Sequence, residues 1–189
     1  MRIIGGKFRG THLAPVGDGD ARAHLRPTSD RVREAMFNLL INGAAIGDDP
    51  ITGARVLDLF AGTGALGLEA LSRGAARITF VDEGTTARAL LRRNVEILRA
   101  MGVTDIYRRD ATRLGQNRGV PFALIFLDPP YGKGLGEAAL ASAISGGWVA
   151  PGAIVLWEEN SSPVPPDGFS LLDRRRYGET TITILRAPE

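Results

Sequence analysis

The chain contains no cysteine and only two histidines, His12 and His24, among its 189 residues. The first absence removes a disulfide frame, a thiolate metal site and a cysteine nucleophile. The two histidines have no partner at ligand spacing, which argues against a metal enzyme, and no metal is expected. Lysine is nearly missing too: Lys7 and Lys133 are the only two among 23 cations, the rest being arginine, as in proteins encoded by G+C-rich genomes. No apolar run approaches the roughly 18 residues that cross a bilayer. The longest, at 122–127 and 153–157, are strand-sized, so no membrane association is expected. Met1 and Arg2 lead into glycines and Lys7 without the apolar core of a secretion signal, so the expected location is cytoplasmic.

What is present fits one soluble globular domain. Apolar residues are 44% and charged residues 23% of a chain long enough for a real core. The net charge of +2 is small but unevenly placed. Residues 1–33 carry seven cations (Arg2, Lys7, Arg9, Arg22, Arg26, Arg31, Arg33) against three acids (Asp18, Asp20, Asp30). The remainder is therefore slightly negative. A basic head on a neutral body is a plausible footprint for a polyanion such as nucleic acid, with a solvated surface as the competing explanation.

No internal repeat or low-complexity tract interrupts the chain. Residues 2–13 (RIIGGKFRGTHL) read as two short strands turned by Gly5, Gly6 and Gly10. A polar loop follows to Pro27. Thr28, Ser29 or Asp30 then caps a helix in which Val32, Met36, Leu39 and Leu40 recur at helical spacing. From Arg55 onward strands and helices alternate. Strands are predicted at 56–60, 77–81, 105–109, 122–127 and 153–158, with helices to Arg73, over 85–101 and over 137–145. Two further strands, 169–177 and 180–186, form a terminal hairpin that adds an antiparallel strand at one edge. The expected fold class is α/β: a mainly parallel Rossmann-like sheet with helices on both faces. Residues 1–45 form a basic extension of hairpin plus helix, and 54–189 the cofactor-binding catalytic core, within one domain over 1–189. Ligands of such sheets bind at the carboxyl ends of the strands, near the switch in strand order.

Two motifs fall at that edge. The first, Asp58-Leu-Phe-Ala-Gly62-Thr-Gly64-Ala-Leu-Gly67, places G-x-G-x-x-G between a strand and a helix. Glycines there allow a sharp turn and close approach of a nucleotide-like cofactor. Dinucleotide oxidoreductases share the pattern, but Asp58 at the strand end would repel a pyrophosphate and would welcome an ammonium or sulfonium. Asp82 closes the next strand, placed for ribose hydroxyls. Asp110, followed by Ala111, either accepts from an adenine amine or caps a short helical turn.

The second motif is Asp128-Pro129-Pro130-Tyr131, delivered by the buried strand FALIFL. The prolines stiffen the backbone and leave carbonyls free as acceptors. A carboxylate beside a fixed carbonyl presents two acceptors to the two hydrogens of an exocyclic amine. Tyr131 offers a face for a planar base, worth about 1–3 kcal/mol in stacking. Methyl transfer from a sulfonium needs alignment more than a strong base, which suits a chain without cysteine or a histidine dyad. A target base inside a duplex must first be extruded. Trp148 and Trp157 read as packing residues, Arg174, Arg175 and Arg176 as a solvated edge, and both histidines as surface residues.

These segments resemble a known family. Residues 58–75 (DLFAGTGALGLEALSRGA) and 127–134 (LDPPYGKG) are similar to class I S-adenosylmethionine-dependent methyltransferases that modify exocyclic amines. RIIGGKFRG (2–10) and LRPTSDRVREAMFN (25–38) narrow the resemblance to the RsmD family, bacterial enzymes acting on a guanine N2 of small-subunit (16S) ribosomal RNA. The resemblance implies that Asp58, Phe60, Ala61, Gly62, Thr63 and Gly64 hold the methionine end of the cofactor. It gives Asp82 or Glu83 the ribose, and Asp110 with Ala111 the adenine. Asp128, Pro129, Pro130 and Tyr131 take the guanine. Arg26, Thr28, Asp30, Arg31 and Arg33 form the family's entry motif; the RNA contacts are expected at Lys7, Arg9, Arg26, Arg31, Arg33 and Lys133. The partner implied is 16S rRNA within small-subunit particles, met by a monomer. Two departures from the family pattern are the Asp82-Glu83-Gly84 strand end and a longer loop at 16–24. Three other readings stay open on the residues alone: an adenine-N6 DNA methyltransferase, a nicotinamide-dependent oxidoreductase, and a non-catalytic RNA-binding module.

Overall fold

A computed structural model of the chain describes residues 1–16 and 29–189. Its elements are α1 (Asp30–Asn42), β1 (Arg55–Leu59), α2 (Ala65–Ser72), β2 (Arg77–Val81), α3 (Thr85–Ile97), β3 (Thr104–Tyr107), β4 (Phe122–Leu127), α4 (Leu135–Ser145), β5 (Val149–Glu159), β6 (Ser170–Tyr177) and β7 (Thr180–Arg186). The sheet has seven strands in the order β3-β2-β1-β4-β5-β7-β6. The first five in that order are parallel, and β7 runs antiparallel to β5 and β6. The antiparallel strand of the expected hairpin thus sits one place in from the edge, and β6, with its exposed Arg175 and Arg176, forms the border.

The period-two alternation of the strands divides the core into two layers. On one face Val56, Ile78, Phe80, Leu124, Phe126 and Leu156 pack against Met36, Phe37 and Leu40 of α1, Leu68 of α2 and Leu91 of α3. On the other, Leu57, Leu59, Ile125, Leu127, Val155 and Trp157 pack with Ala139, Leu140 and Ala143 of α4. Trp148 and Trp157 are both buried in this second layer, as their reading as packing residues requires.

Local chemistry sets the helix ends. Ser29 Oγ accepts from the Val32 N–H and starts α1, with Asp30 in the first turn. In α3 the buried positions Ala87, Leu91 and Val95 are spaced four apart. That helix ends at Leu98, short of the expected 101, because Arg99 turns to φ 52° and a single 3-10 turn leads into β3. β5 starts at Val149, earlier than expected, through a register shift between Phe122 and Leu124 on its partner.

The N-terminal arm departs most from its predicted form. In place of two paired strands there is one antiparallel bridge, Arg2 with His12. Ile3 and Leu13 N–H bond across the arm to the Thr11 and Met1 carbonyls, at 2.9 and 3.1 Å, while other donors turn to α2: Ile4 and Gly5 N–H to the two oxygens of Glu69, each at 2.8 Å, and Phe8 N–H to Ser72 Oγ at 2.9 Å. At Gly6, φ is 74° and a Cβ would lie 1.9 Å from the Ser72 carbonyl oxygen, so only glycine lets the arm come this close to α2. The arm lies along α2, with Ala14 near its amino end and Gly5–Phe8 at its carboxyl end. Among the described residues no helix is long and apolar enough to cross a membrane.

Candidate active site

The strand order reverses between β1 and β4, and a cavity of about 840 Å³ opens at the carboxyl ends of these strands. β1 delivers the glycine loop and β4 the Asp-Pro-Pro-Tyr segment, and both motifs line the same space. In the loop Phe60, Gly62 and Gly64 all adopt positive φ (59°, 54° and 78°). For Phe60 this conformation is strained, and the turn it makes swings the chain from strand to helix. At Gly64 a Cβ would fall 2.2 Å from Leu91 Cδ1, so the start of α2 demands glycine. The loop is tied from outside by buried Asn94, whose Nδ2 donates to the Thr63 carbonyl at 2.8 Å while its Oδ1 accepts from Ala14 N–H at 2.7 Å.

The acids of the cavity differ in character. Asp58 is buried, and Oδ2 accepts from Gly67 N–H at 2.9 Å. Burial pushes its carboxyl up to about 8; the Gly67 hydrogen bond opposes this shift and the Asp82 charge adds to it. Asp82 spends one oxygen on Gly62 N–H at 2.8 Å and the other on Gly84 N–H at 2.7 Å, bracing the glycine loop and the turn into α3 together. Its remaining lone pairs keep acceptor capacity. Neighbouring Glu83 is exposed and also lines the cavity. Buried Arg88 steadies this turn by donating to the carbonyls of Asp82 and Glu83. Asp110 caps the 3-10 turn at Ala111–Arg113, accepting from Thr112 N–H at 2.8 Å and Thr112 Oγ at 2.7 Å; these bonds hold its carboxyl below the usual range. Ala111 and Arg109 line the cavity, and Asp110 stands between them in sequence.

On the β4 side Asp128, Pro129, Pro130, Tyr131 and Lys133 border the cavity. The Tyr131 hydroxyl donates to Glu158 Oε1 at 2.7 Å and lies 3.2 Å from Thr180 Oγ1. Gly132 N–H donates to Glu159 Oε1 at 3.1 Å. Two buried acids at the end of β5 therefore grip the loop that follows β4. Burial raises the Tyr131 pKa, with the Glu158 and Asp128 charges adding to the rise, so its hydroxyl stays protonated.

The structure brings together the expected residues Asp58, Phe60–Thr63, Asp82, Glu83, Ala111, Asp128–Tyr131 and Lys133, and separates others from them. Gly64 is buried at the start of α2 and does not line the cavity. Arg33, expected to meet RNA, is fully buried: its Nη2 donates to Asp30 Oδ1 at 2.8 Å and to the Arg2 carbonyl, and Nε lies 3.8 Å from Glu69 Oε2. It secures the arm to α1 and α2 and presents no charge to a polyanion. Arg31, Lys7 and Arg9 are exposed, the last two at the end of α2 remote from the cavity. Arg26, Thr28 and His24 lie outside the described residues. Glu158, Glu159, Thr180, Asn94 and Arg109 are not among the site residues expected from the sequence. For Glu158 a signal existed, since it ends the strand predicted at 153–158, at the edge where ligands bind.

Comparison with known proteins agrees with this geometry. The family described as conserved hypothetical protein 95 matches residues 1–186. Ribosomal RNA small subunit methyltransferase D of Escherichia coli K12 is 40% identical over 182 residues, covering 95% of this chain and 86% of its own. The protein of that name in Haemophilus influenzae is 35% identical, covering 94% and 89%. A solved structure described as putative methyltransferase yhhF from Escherichia coli superposes with a TM-score of 0.81 at 34% identity, covering 100% of this chain and 98% of that one. The chain belongs to the conserved hypothetical protein 95 family, that of the small-subunit ribosomal RNA methyltransferases D.

Proposed function

We propose that this protein transfers a methyl group from S-adenosylmethionine to the exocyclic N2 of a guanine in 16S rRNA, with small-subunit particles as the substrate. The observation that carries the reading is one cavity walled on one side by the glycine loop and Asp58 and on the other by Asp128, Pro129 and Tyr131. The names of the relatives at 40% and 35% identity support the same class of reaction.

The donor set fits the cofactor. Asp58 is a buried carboxylate in the cavity wall that takes one backbone N–H and has no cationic partner among the described residues. A ligand ammonium answers that need, and a dinucleotide pyrophosphate would worsen it. Asp82 or Glu83 takes the ribose hydroxyls, and Asp110 with Ala111 takes the adenine, beside Arg109 on the cavity wall. When bound, S-adenosylmethionine would supply a methyl group by cleavage of its bond to a positively charged sulfur, leaving as the neutral thioether. Asp128 and the Pro129 carbonyl accept the two amine hydrogens, aim the nitrogen lone pair and weaken its conjugation with the ring. Tyr131 stacks on the base. Asp128 receives the proton released as the N–C bond forms and passes it to water. Alignment and proximity supply most of the acceleration.

The test is transfer of labelled methyl to small-subunit particles, naked 16S rRNA and duplex DNA, followed by nucleoside digestion. N2-methylguanosine from particles is expected; N6-methyladenosine, or transfer to DNA alone, would overturn the reading. Asp128→Ala should lose at least about a hundredfold in rate with S-adenosylhomocysteine affinity unchanged, and full activity in that variant would remove Asp128 from the chemistry.

A further inference from the structure

β4 and β5 run parallel with Leu127 beside Trp157. The next residues along, Asp128 and Glu158, therefore occupy neighbouring positions at the carboxyl edge, on strands about 5 Å apart. Both line the cavity. Glu158 is 4% exposed and accepts from the Tyr131 hydroxyl, and a carboxylate can accept several hydrogen bonds at once. Because the tyrosine hydroxyl stays protonated and donates, Glu158 stays on the accepting side of that bond.

The ring atoms beside a target amine differ among bases. On the Watson–Crick side of guanine N2 lies N1–H, a donor, with the bare N3 on the other side. Next to adenine N6 lies N1, and next to cytosine N4 lies N3, both bare lone pairs. One carboxylate next to another matches an amine and an adjacent ring N–H, and repels an amine whose neighbour on that side is a lone pair. We propose that Glu158 selects guanine, accepting the N1–H of the base whose N2 amine is held by Asp128 and the Pro129 carbonyl. This rests on the reading that a base is methylated in this cavity. The same carboxylate anchors the Tyr131 hydroxyl, so the stacking ring and the N1 contact share one fixed point.

The experiment uses small-subunit particles reconstituted with guanine or with 2-aminopurine at the methylated position. 2-Aminopurine keeps the exocyclic amine and has a lone pair at N1. Preference is read both as methyl transfer and as the affinity of the S-adenosylhomocysteine complex for each particle, so a slow variant still reports. The wild type is expected to prefer guanine by at least about a hundredfold. In Glu158→Gln the amide can turn an N–H toward N1, and the preference should fall below about tenfold. Tyr131→Phe, which keeps the carboxylate, should retain the wild-type preference. A wild type that accepts both particles within about threefold, or a Glu158→Gln variant with its preference intact, overturns the proposal. Absence of any transfer to the guanine particle overturns the underlying reading and this one together, so the two failures are distinguishable.

Discussion

Burial holds a proton on Asp58 to about pH 8, while the same carboxyl in an unfolded chain ionises near 3.8. Stability linked to that proton is complete below the unfolded value and is lost as pH rises through about 8. Ligand binding has the opposite sign, because an ammonium group pairs with the ionised form. Affinity for S-adenosylhomocysteine should therefore climb between about pH 6 and 8, by up to about tenfold per unit, and then level. Asp58→Asn should flatten this slope and weaken binding at pH 8, while the free variant melts higher than the wild type there. Calorimetric titration across the range, with melting curves at each pH, checks both signs. An unchanged slope in the variant would mean that another group carries the linkage.

Among the elements, the arm over residues 1–14 depends on side chains far away in sequence. Glu69 is fully buried, receives Ile4 and Gly5 N–H, and pairs with Arg73 at 2.8 Å and Arg33 at 3.8 Å. Glu69→Ala would strip two backbone donors of their acceptor and leave Arg33 buried beside too little negative charge. A loss of about 3–5 kcal/mol is expected, read by denaturant unfolding, with faster amide exchange confined first to residues 1–14. Equal exchange along the whole chain would show that the arm is not the part Glu69 holds. This contact also marks what could be read in advance. The strands of the sheet and the helices α1 to α4 follow from local apolar periodicity, and the glycine loop and Asp-Pro-Pro-Tyr fall at strand ends that this periodicity locates. The arm's bonds to Glu69 and Ser72 span more than sixty residues, and no local pattern records them. Arg33 illustrates the cost: in a basic sequence it counts as one more surface cation, and only the packing of three elements reveals it as buried. Glu158 failed to stand out for a related reason, since only the parallel register of β4 and β5 sets it beside Asp128, thirty residues earlier.

At the scale of the whole molecule, two exposed cations of the N-terminal arm stand apart from the cavity. α2 starts at the cavity with Gly64 as its cap and runs eight residues, about 12 Å, to the end where the arm's turn is docked. Lys7 and Arg9 project from that turn and are exposed, whereas Lys133 borders the cavity. A short oligonucleotide seated on Asp128 would leave Lys7 and Arg9 unused, but a folded RNA many helical turns across can reach both ends. The two sets of cations should then act on different quantities. Lys7→Glu combined with Arg9→Glu is expected to raise KM for small-subunit particles about tenfold at moderate salt and to lower the slope of log affinity against log salt by about two. Because neither side chain nears the cofactor, kcat at saturating particles and S-adenosylhomocysteine affinity should both hold at wild-type values. Steady-state kinetics at three salt concentrations separates these quantities. A fall in kcat with KM unmoved would mean that the turn acts on the active site through α2, and the electrostatic footprint would then have to be sought on another face.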